Sequence, residues 1–344
     1  MSTVGIIANP AAGKDIRRLV SAASPVSDMA KIGIIRRAAI GAVEGGARRL
    51  VLADDRHALA RRALKGIDGI DGIVPGVEVE IAVLDLPLFS SSRDSQRAAA
   101  AMAETGVGAV IVLGGDGTHR DVAKGWRRAP MVALSTGTNN VFPRSVEATM
   151  AGHAAGLVAA RSVSLDDVAD DAAVIDVEVE SVDGESREDL GLVDVALTAG
   201  AFVGSRAVWE VGALRELVTA IAEPSSVGLS AIAAAVAPTD RRARTGVHVS
   251  FPDEARPATA CVRCAIAPGS YADIAIAGHR RLGPDDEVVL TGPGVLSFDG
   301  ERDLVMAPGE QARIRVSDGG PRVIDVARTM LAYRNSRPDN RGED

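Results

Sequence analysis

Residues 108–118 read Gly-Ala-Val-Ile-Val-Leu-Gly-Gly-Asp-Gly-Thr, and this stretch constrains the fold more than any other. The β-branched and aliphatic run at 110–113 has the length and composition of a strand buried on both faces. Three glycines then surround a single aspartate. Glycine reaches backbone angles closed to other residues and lets the main chain approach a ligand closely. Thr118 is placed to cap a following helix, with Asp121 three residues on where a capping box carries its acid. The local prediction is a strand, a tight turn bearing one carboxylate, and a helix N-terminus whose free N–H groups and dipole favour phosphate. A plain strand-to-helix turn needs fewer glycines.

The stretch sits in a longer alternation. Residues 4–8, 49–53, 77–86 and 131–135 read as strands, and 28–44, 57–65 and 92–104 as helices. Alternating strands and helices predict a parallel, Rossmann-like sheet with helices on both faces, and ligands bind such sheets at the carboxyl ends of the strands. The first of those ends carries Asn9-Pro10-Ala11-Ala12-Gly13-Lys14, with a helix opening near Asp15. This is not a Walker A loop, which needs glycine where Ala8 stands and Ser or Thr where Asp15 stands. It is still a glycine loop with a lysine at a strand-to-helix junction, which makes Asn9, Gly13 and Lys14 candidate phosphate contacts. The last end carries Thr136-Gly137-Thr138-Asn139-Asn140. These polar groups either close a local Asx turn or form the opposite wall of a cleft that faces Asp116.

After a helix at 146–160 the pattern changes. Residues 174–180 alternate strictly, Val182-Asp183-Gly184 is a hairpin signal, and 191–198 is the returning strand. Segments 210–221 and 226–236 read as helices. Short strands at 247–251, 260–265, 287–290 and 313–316 follow, separated by Gly and Pro, which predicts an antiparallel, sandwich-like β-rich part with a few helices. The organisation is then 1–165, an α/β nucleotide-binding domain; 166–326, a β-rich substrate domain; and 327–344, a terminal helix and frayed tail, with the first boundary inside 161–171.

Composition narrows the function classes. Of 344 residues 47% are hydrophobic but only 3% aromatic, so the core must be built from Ala, Val, Ile and Leu. A net charge of −8 argues against a nucleic-acid partner, which would require a basic surface. No apolar run reaches the ~18 residues of a membrane helix and no secretory leader is visible, so no integral membrane contact and a cytoplasmic location are expected. Cys261 and Cys264 have C-x-x-C spacing, but residues three apart on a strand face opposite ways and no second ligand pair exists, so buried free thiols are expected.

A carboxylate beside a phosphate-binding turn suggests phosphoryl transfer, which needs a base near the attacking hydroxyl, donors toward phosphate, and usually Mg²⁺. Asp116 could serve as that base or help hold the metal. Hydride transfer is disfavoured because G-x-G-x-x-G is absent from every strand-to-helix turn assigned.

Gly114-Gly115-Asp116-Gly117-Thr118 is the GGDGT signature of NAD kinases and of the diacylglycerol and sphingosine kinases, and the order of an α/β part before a β-rich part resembles theirs. The chain most resembles the ATP–NAD kinase-like acetoin-catabolism protein X (AcoX) family. The stretches Ile7-Ala8-Asn9-Pro10-Ala11-Ala12-Gly13-Lys14-Asp15-Ile16-Arg17-Arg18 and Ser135-Thr136-Gly137-Thr138-Asn139-Asn140-Val141-Phe142-Pro143 carry that likeness. The resemblance implies ATP and Mg²⁺ as cofactors, NAD as a possible substrate and a homo-oligomer. It implies Asp116 as base, and Gly114, Gly115, Gly117, Thr118, Thr136, Gly137, Thr138, Asn139 and Asn140 as nucleotide contacts. Phe298-Asp299-Gly300-Glu301 resembles the DGE element of these kinases, which gives Asp299 and Glu301 a metal or base-assisting role; read from the residues alone, Asp299-Gly300 is a hairpin turn. The T-P-T-G-S-T-A-Y-like stretch of NAD kinases is absent. Three readings follow: a kinase phosphorylating NAD or a related nucleotide, a kinase of a lipid or other small alcohol, and a non-catalytic NAD- or ATP-binding accessory protein linked to acetoin catabolism.

Overall fold

Strands β1 (Thr3–Ala8), β2 (Arg49–Leu52), β3 (Glu80–Val83), β4 (Ala109–Gly114) and β5 (Pro130–Ser135) run parallel in the spatial order β3-β2-β1-β4-β5. The computed structural model describes residues 1–12, 26–65, 74–136, 140–200 and 211–336, without the side chains of residues 211, 302 and 303. β4 is buried along its whole length, which is why its sequence is a continuous apolar run. Successive side chains still serve opposite layers. Val4, Ile6, Ile111 and Leu113 pack under the helices Asp28–Glu44 and Ala148–Ala159, while Ile7, Val110 and Val112 pack under Ser92–Glu104 and Asp116–Gly125.

The scarcity of aromatics is met by close approach. A Cβ placed on Gly41 would strike the Thr149 carbonyl, and one on Gly152 the Ala38 carbonyl, so the helices Asp28–Glu44 and Ala148–Ala159 pack backbone against backbone. Ala38, Ala39, Ala42, Ala151 and Ala155 fill the rest of that contact, each at most 1% exposed.

Beyond β5 the sheet continues with Arg322–Ile324, parallel to β5, and then Ala169–Asp171, antiparallel to Arg322–Ile324. The chain thus leaves the first sheet at one edge strand and re-enters it beside that strand after the β-rich part. In between, among the described residues, lie antiparallel sheets of six, four and two strands. The six-stranded sheet runs Gly278–Leu282, Gly246–Ser250, Leu214–Thr219, Asp194–Thr198, Gly294–Phe298, Glu301–Met306. Its one face packs on the four-stranded sheet through Val195, Leu197, Leu296 and Phe298 against Ile175, Val177 and Ile314. Its other face packs on the helix Leu229–Val236 and the hairpin Ala260–Ala267/Ser270–Ile276. These layers match the predicted fold class, an α/β sheet followed by a β-rich sandwich.

Several local expectations are corrected. The strand that returns from the turn at 182–184 to pair with Val174–Glu180 is Ser186–Gly191, and Asp194–Thr198 belongs to the six-stranded sheet. Within the expected helix at 210–221, residue 210 lies outside the described residues, and Leu214–Thr219 is a strand between Asp194–Thr198 and Gly246–Ser250. Its Leu217-Val218-Thr219 end is wholly buried because both faces are covered, and a short run apolar on all sides does not distinguish helix from strand. Thr118 does not cap the motif helix. Gly115 is the N-cap and Thr118 lies in the first turn. Asp121 consequently sits in the helix interior, where it meets Gln96 rather than a backbone N–H of the first turn. Both cysteines are free thiols, but only Cys264 is buried; Cys261, three residues away on the same strand, faces the other way and is exposed, which corrects the expectation of two buried thiols. No described helix is long and apolar enough to cross a membrane.

Candidate functional site

The carboxyl ends of β1, β4 and β5 lie side by side, and the loops leaving them are tied to one another. The Asn9 N–H donates to the Leu113 carbonyl at 3.1 Å, and the Asn9 side-chain amide donates to Thr118 Oγ1 at 3.0 Å. Asn9 Oδ1 accepts the Ala11 N–H at 2.8 Å, which turns the first loop back on itself. On the other side the Thr136 N–H donates to the Gly114 carbonyl at 3.2 Å, and Asn140 Nδ2 donates to Ser135 Oγ at 2.8 Å. Asp116 stands between these walls as the first residue of the motif helix. Its Oδ1 accepts the N–H groups of Val141 at 3.0 Å and Phe142 at 2.8 Å, and its Oδ2 accepts Val141 at 3.1 Å.

The glycines of the motif each answer to a neighbour. A Cβ on Gly114 would overlap the Thr118 side chain. One on Gly115 would lie 3.0 Å from Asn140 Oδ1, and one on Gly117 would lie 3.2 Å from Glu301 Oε1. The last contact places Glu301, from the β-rich part, over the first turn of the motif helix. Because Gly115 offers no side chain to cap that turn, its N–H groups keep the orphan character that draws phosphate.

Glu301 is carried there by a tight hairpin turn. Asp299 (φ 52°) and Gly300 (φ 78°) are both left-handed, the backbone of a type I′ hairpin between Gly294–Phe298 and Glu301–Met306. Asp299 is only 5% exposed, and its Oδ1 accepts the N–H groups of Leu192 at 3.0 Å, Val193 at 2.7 Å and Asp194 at 3.1 Å, while Asp194 Oδ1 accepts the Gly300 N–H at 3.3 Å. Burial raises the Asp299 carboxyl above its ordinary range, opposed by Arg120 and by those amides. This carboxylate is an anchor between two hairpins, and the expectation that Asp299 holds a metal does not fit its surroundings. Arg120, one turn beyond Asp116, completes the junction: Nε donates to the Leu190 carbonyl at 2.6 Å, Nη2 pairs with Asp189 at 2.8 Å, and the guanidinium lies 4.5 Å from the centre of the Phe298 ring.

Two further buried groups escape sequence reasoning. Lys31 is fully buried and donates its Nζ to the carbonyls of Asn9 at 3.2 Å and Pro10 at 2.7 Å, holding the first loop from beneath. A lysine inside the apolar run Met29-Ala30-Lys31-Ile32-Gly33-Ile34-Ile35 is the signal that could have found it. His119 is likewise fully buried, its Nδ1 is 2.7 Å from the Gly115 carbonyl, and its ring centre is 5.6 Å from that of Phe142. Burial lowers its pKa to about 4, so the ring is neutral and Nδ1 carries the proton that meets the carbonyl.

Of the residues singled out in the sequence, the structure gathers Asn9, Gly114, Gly115, Asp116, Gly117, Thr118, Thr136, Asn140 and Glu301 around one helix N-terminus. Gly13, Lys14, Gly137, Thr138 and Asn139 lie outside the described residues, as does the helix expected near Asp15. Among the described residues no group of three His, Cys, Asp or Glu side chains is arranged to hold a metal ion. An Mg²⁺ that rides on nucleotide phosphates needs only one or two protein carboxylates, and Glu301 beside the uncapped turn meets that requirement. A groove of about 420 Å³ lies elsewhere, at the opposite end of the motif helix around Lys124, Arg127 and Arg315, and shares none of these residues.

Residues 60–161 match the ATP-NAD kinase N-terminal domain family, and residues 173–319 match the acetoin catabolism protein X C-terminal domain family. Among solved structures, yeast NADH kinase complexed with NADH aligns over 99% of this chain and 88% of its own, with a TM-score of 0.48 and 10% identity. Acetoin catabolism protein X of Cupriavidus necator is 34% identical over 334 residues, covering 95% of this chain and 91% of the relative. With that identity along nearly its whole length, the chain belongs to the acetoin catabolism protein X family.

Proposed function

We propose that the protein is an ATP-dependent phosphotransferase acting on a hydroxyl of NAD or a related nucleotide, with Asp116 as the base. The observation that carries the reading is the convergence of Asn9, the Gly114–Thr118 turn, Asn140 and Glu301 on one uncapped helix N-terminus with Asp116 at its head. Phosphate groups would be received by the first-turn N–H groups and by the Thr118 hydroxyl, which can donate while its oxygen accepts the Asn9 amide. Mg²⁺, when bound, would offset phosphate charge, with Glu301 as the residue to hold it. The acceptor oxygen attacks the γ-phosphorus, its proton passes to Asp116, and the bond to the departing ADP oxygen breaks. The amides of Val141 and Phe142 fix the direction in which the Asp116 carboxylate points.

Purified protein incubated with ATP, Mg²⁺ and NAD tests this. NADP is expected, falling to background with Asp116→Asn. Absence of NADP above that control, with NAD demonstrably bound, overturns the reading. A second reading, nucleotide binding without turnover, is favoured by one feature: both Asp116 oxygens are already engaged by loop amides. Calorimetric binding of ATP and NAD with no release of ADP supports it.

A further inference from the structure

The peptide group that joins Val141 to Phe142 lies between two charges. Its N–H, that of Phe142, donates to Asp116 Oδ1 at 2.8 Å. Its carbonyl, that of Val141, accepts Arg241 Nη2 at 2.9 Å. The following carbonyl, that of Phe142, accepts Arg241 Nη1 at 3.1 Å, so the guanidinium fork grips two successive peptides. Arg241 comes from the loop between Leu229–Val236 and Gly246–Ser250, in the β-rich part, about a hundred residues along the chain from the segment it holds.

The fork is itself fixed. Glu223 Oε1 accepts Arg241 Nε at 2.7 Å and Glu223 Oε2 accepts Nη2 at 2.8 Å, with both side chains about one-fifth exposed. Arg144, two residues beyond Phe142, pairs with the same Glu223 at 3.3 Å. A hydrogen-bonded chain in a partly dry environment polarises along its length, and a cation at the carbonyl end strengthens the bond that the N–H end makes to an anion.

We propose that Arg241 is a positioning residue for Asp116. It polarises the Val141–Phe142 peptide and, through that peptide, sets the orientation and hydrogen bonding of the Asp116 carboxylate. The β-rich part thereby takes a share in preparing a group on the first sheet. The kinetic consequence rests on the reading of Asp116 as base; the structural consequence does not.

The experiment reads the Phe142 amide directly. The chain has five phenylalanines, so selective ¹⁵N-Phe labelling gives a resolvable spectrum. Asp116→Asn identifies the bond by moving the Phe142 amide proton upfield. Arg241→Met is expected to move it the same way and to speed its hydrogen exchange roughly tenfold, the scale of one lost hydrogen bond. Arg241→Lys, with the charge but not the fork, should fall between the two. Glu223→Gln, which loosens the fork without removing it, gives the same direction at smaller size and serves if Arg241→Met does not fold. Where turnover is present, Arg241→Met should lower kcat roughly tenfold with KM for ATP within about twofold. A Phe142 amide unchanged in shift and exchange in both Arg241→Met and Glu223→Gln overturns the proposal and leaves Arg241 as an ion-pair strut. Absence of turnover in the unaltered protein bears on the proposed reaction alone, since the amide result stands without it.

Discussion

The side-chain amide of Gln96 donates to the Asp121 carboxyl at 3.0 Å, inside the contact between the helices Ser92–Glu104 and Asp116–Gly125, where Asp121 is 8% exposed. Burial raises the Asp121 pKa to about 7, against the Gln96 hydrogen bond and Arg120, with the charge of Glu301 adding to the rise. The folded protein therefore holds a proton here that the unfolded chain releases near pH 4. That contribution is fully present below pH 4 and is lost as pH rises through 7, with a total of roughly 4 kcal/mol.

Asp121→Asn keeps the carbonyl that accepts Gln96 and cannot ionise. Its stability should exceed that of the unaltered protein by a margin that grows between pH 5 and 8. Urea denaturation at successive pH values measures the margin, and parallel curves across that range would refute the assignment.

His119 has the opposite sign. Its folded pKa, lowered to about 4 by burial, lies below the ordinary value of 6.5. The stability of the neutral buried ring is intact above pH 6.5 and is lost as pH falls through 4, a loss of roughly 3 kcal/mol. His119→Asn retains a donor for the Gly115 carbonyl but has no titrating ring. Its acid unfolding midpoint should shift to lower pH, and a midpoint unmoved by the substitution would count against the buried-neutral state.

Gly114 tests the turn. Its Cβ would overlap Thr118, which cannot retreat without breaking the bond from Asn9. Gly114→Ala should destabilise by about 1–3 kcal/mol, the range for overpacking, and weaken ATP binding more than it weakens the fold. Calorimetric titration of ATP beside urea denaturation separates the two effects; affinity unchanged in a folded variant would remove Gly114 from the site.

The share of this legible in the sequence follows from chain distance. The first sheet was readable because each strand is a local run and each loop a local break, and the three loops of the site could be placed at one sheet edge from topology alone. Glu301 was found only through its likeness to known kinases, since nothing local links a hairpin turn near residue 300 to a helix that begins at 116. Lys31 and Arg241 are silent in the sequence for a related reason: each acts on backbone carbonyls, which carry no side-chain signature, across 21 and about 100 residues. The strand Leu214–Thr219 reads as a helix in the sequence because the four-stranded sheet on one face and the helix Leu229–Val236 with the hairpin Ala260–Ala267/Ser270–Ile276 on the other erase the alternation that marks a half-buried strand. Asp299 reads in the sequence both as a turn residue and as a metal or base-assisting group, and the amides of Leu192, Val193 and Asp194 that hold its carboxylate leave no trace in the sequence.

Those amides make the last expectation the most severe. Asp299→Ala strands three buried N–H donors at about 1–3 kcal/mol apiece and places alanine at a φ of 52°, where a side chain adds roughly 1 kcal/mol. A loss of several kcal/mol is expected by urea denaturation, with faster exchange at the Leu192, Val193 and Asp194 amides. Asp299→Asn keeps one carbonyl acceptor and tolerates the left-handed backbone, so it should lose far less. Because Asp299 anchors the turn that holds Glu301 over Gly117, Asp299→Asn should still impair nucleotide binding at temperatures where the variant is fully folded. If it binds ATP as the unaltered protein does, the anchor serves the sandwich alone and Glu301 owes its place to other contacts, of which the Arg120 guanidinium over Phe298 is the first to remove.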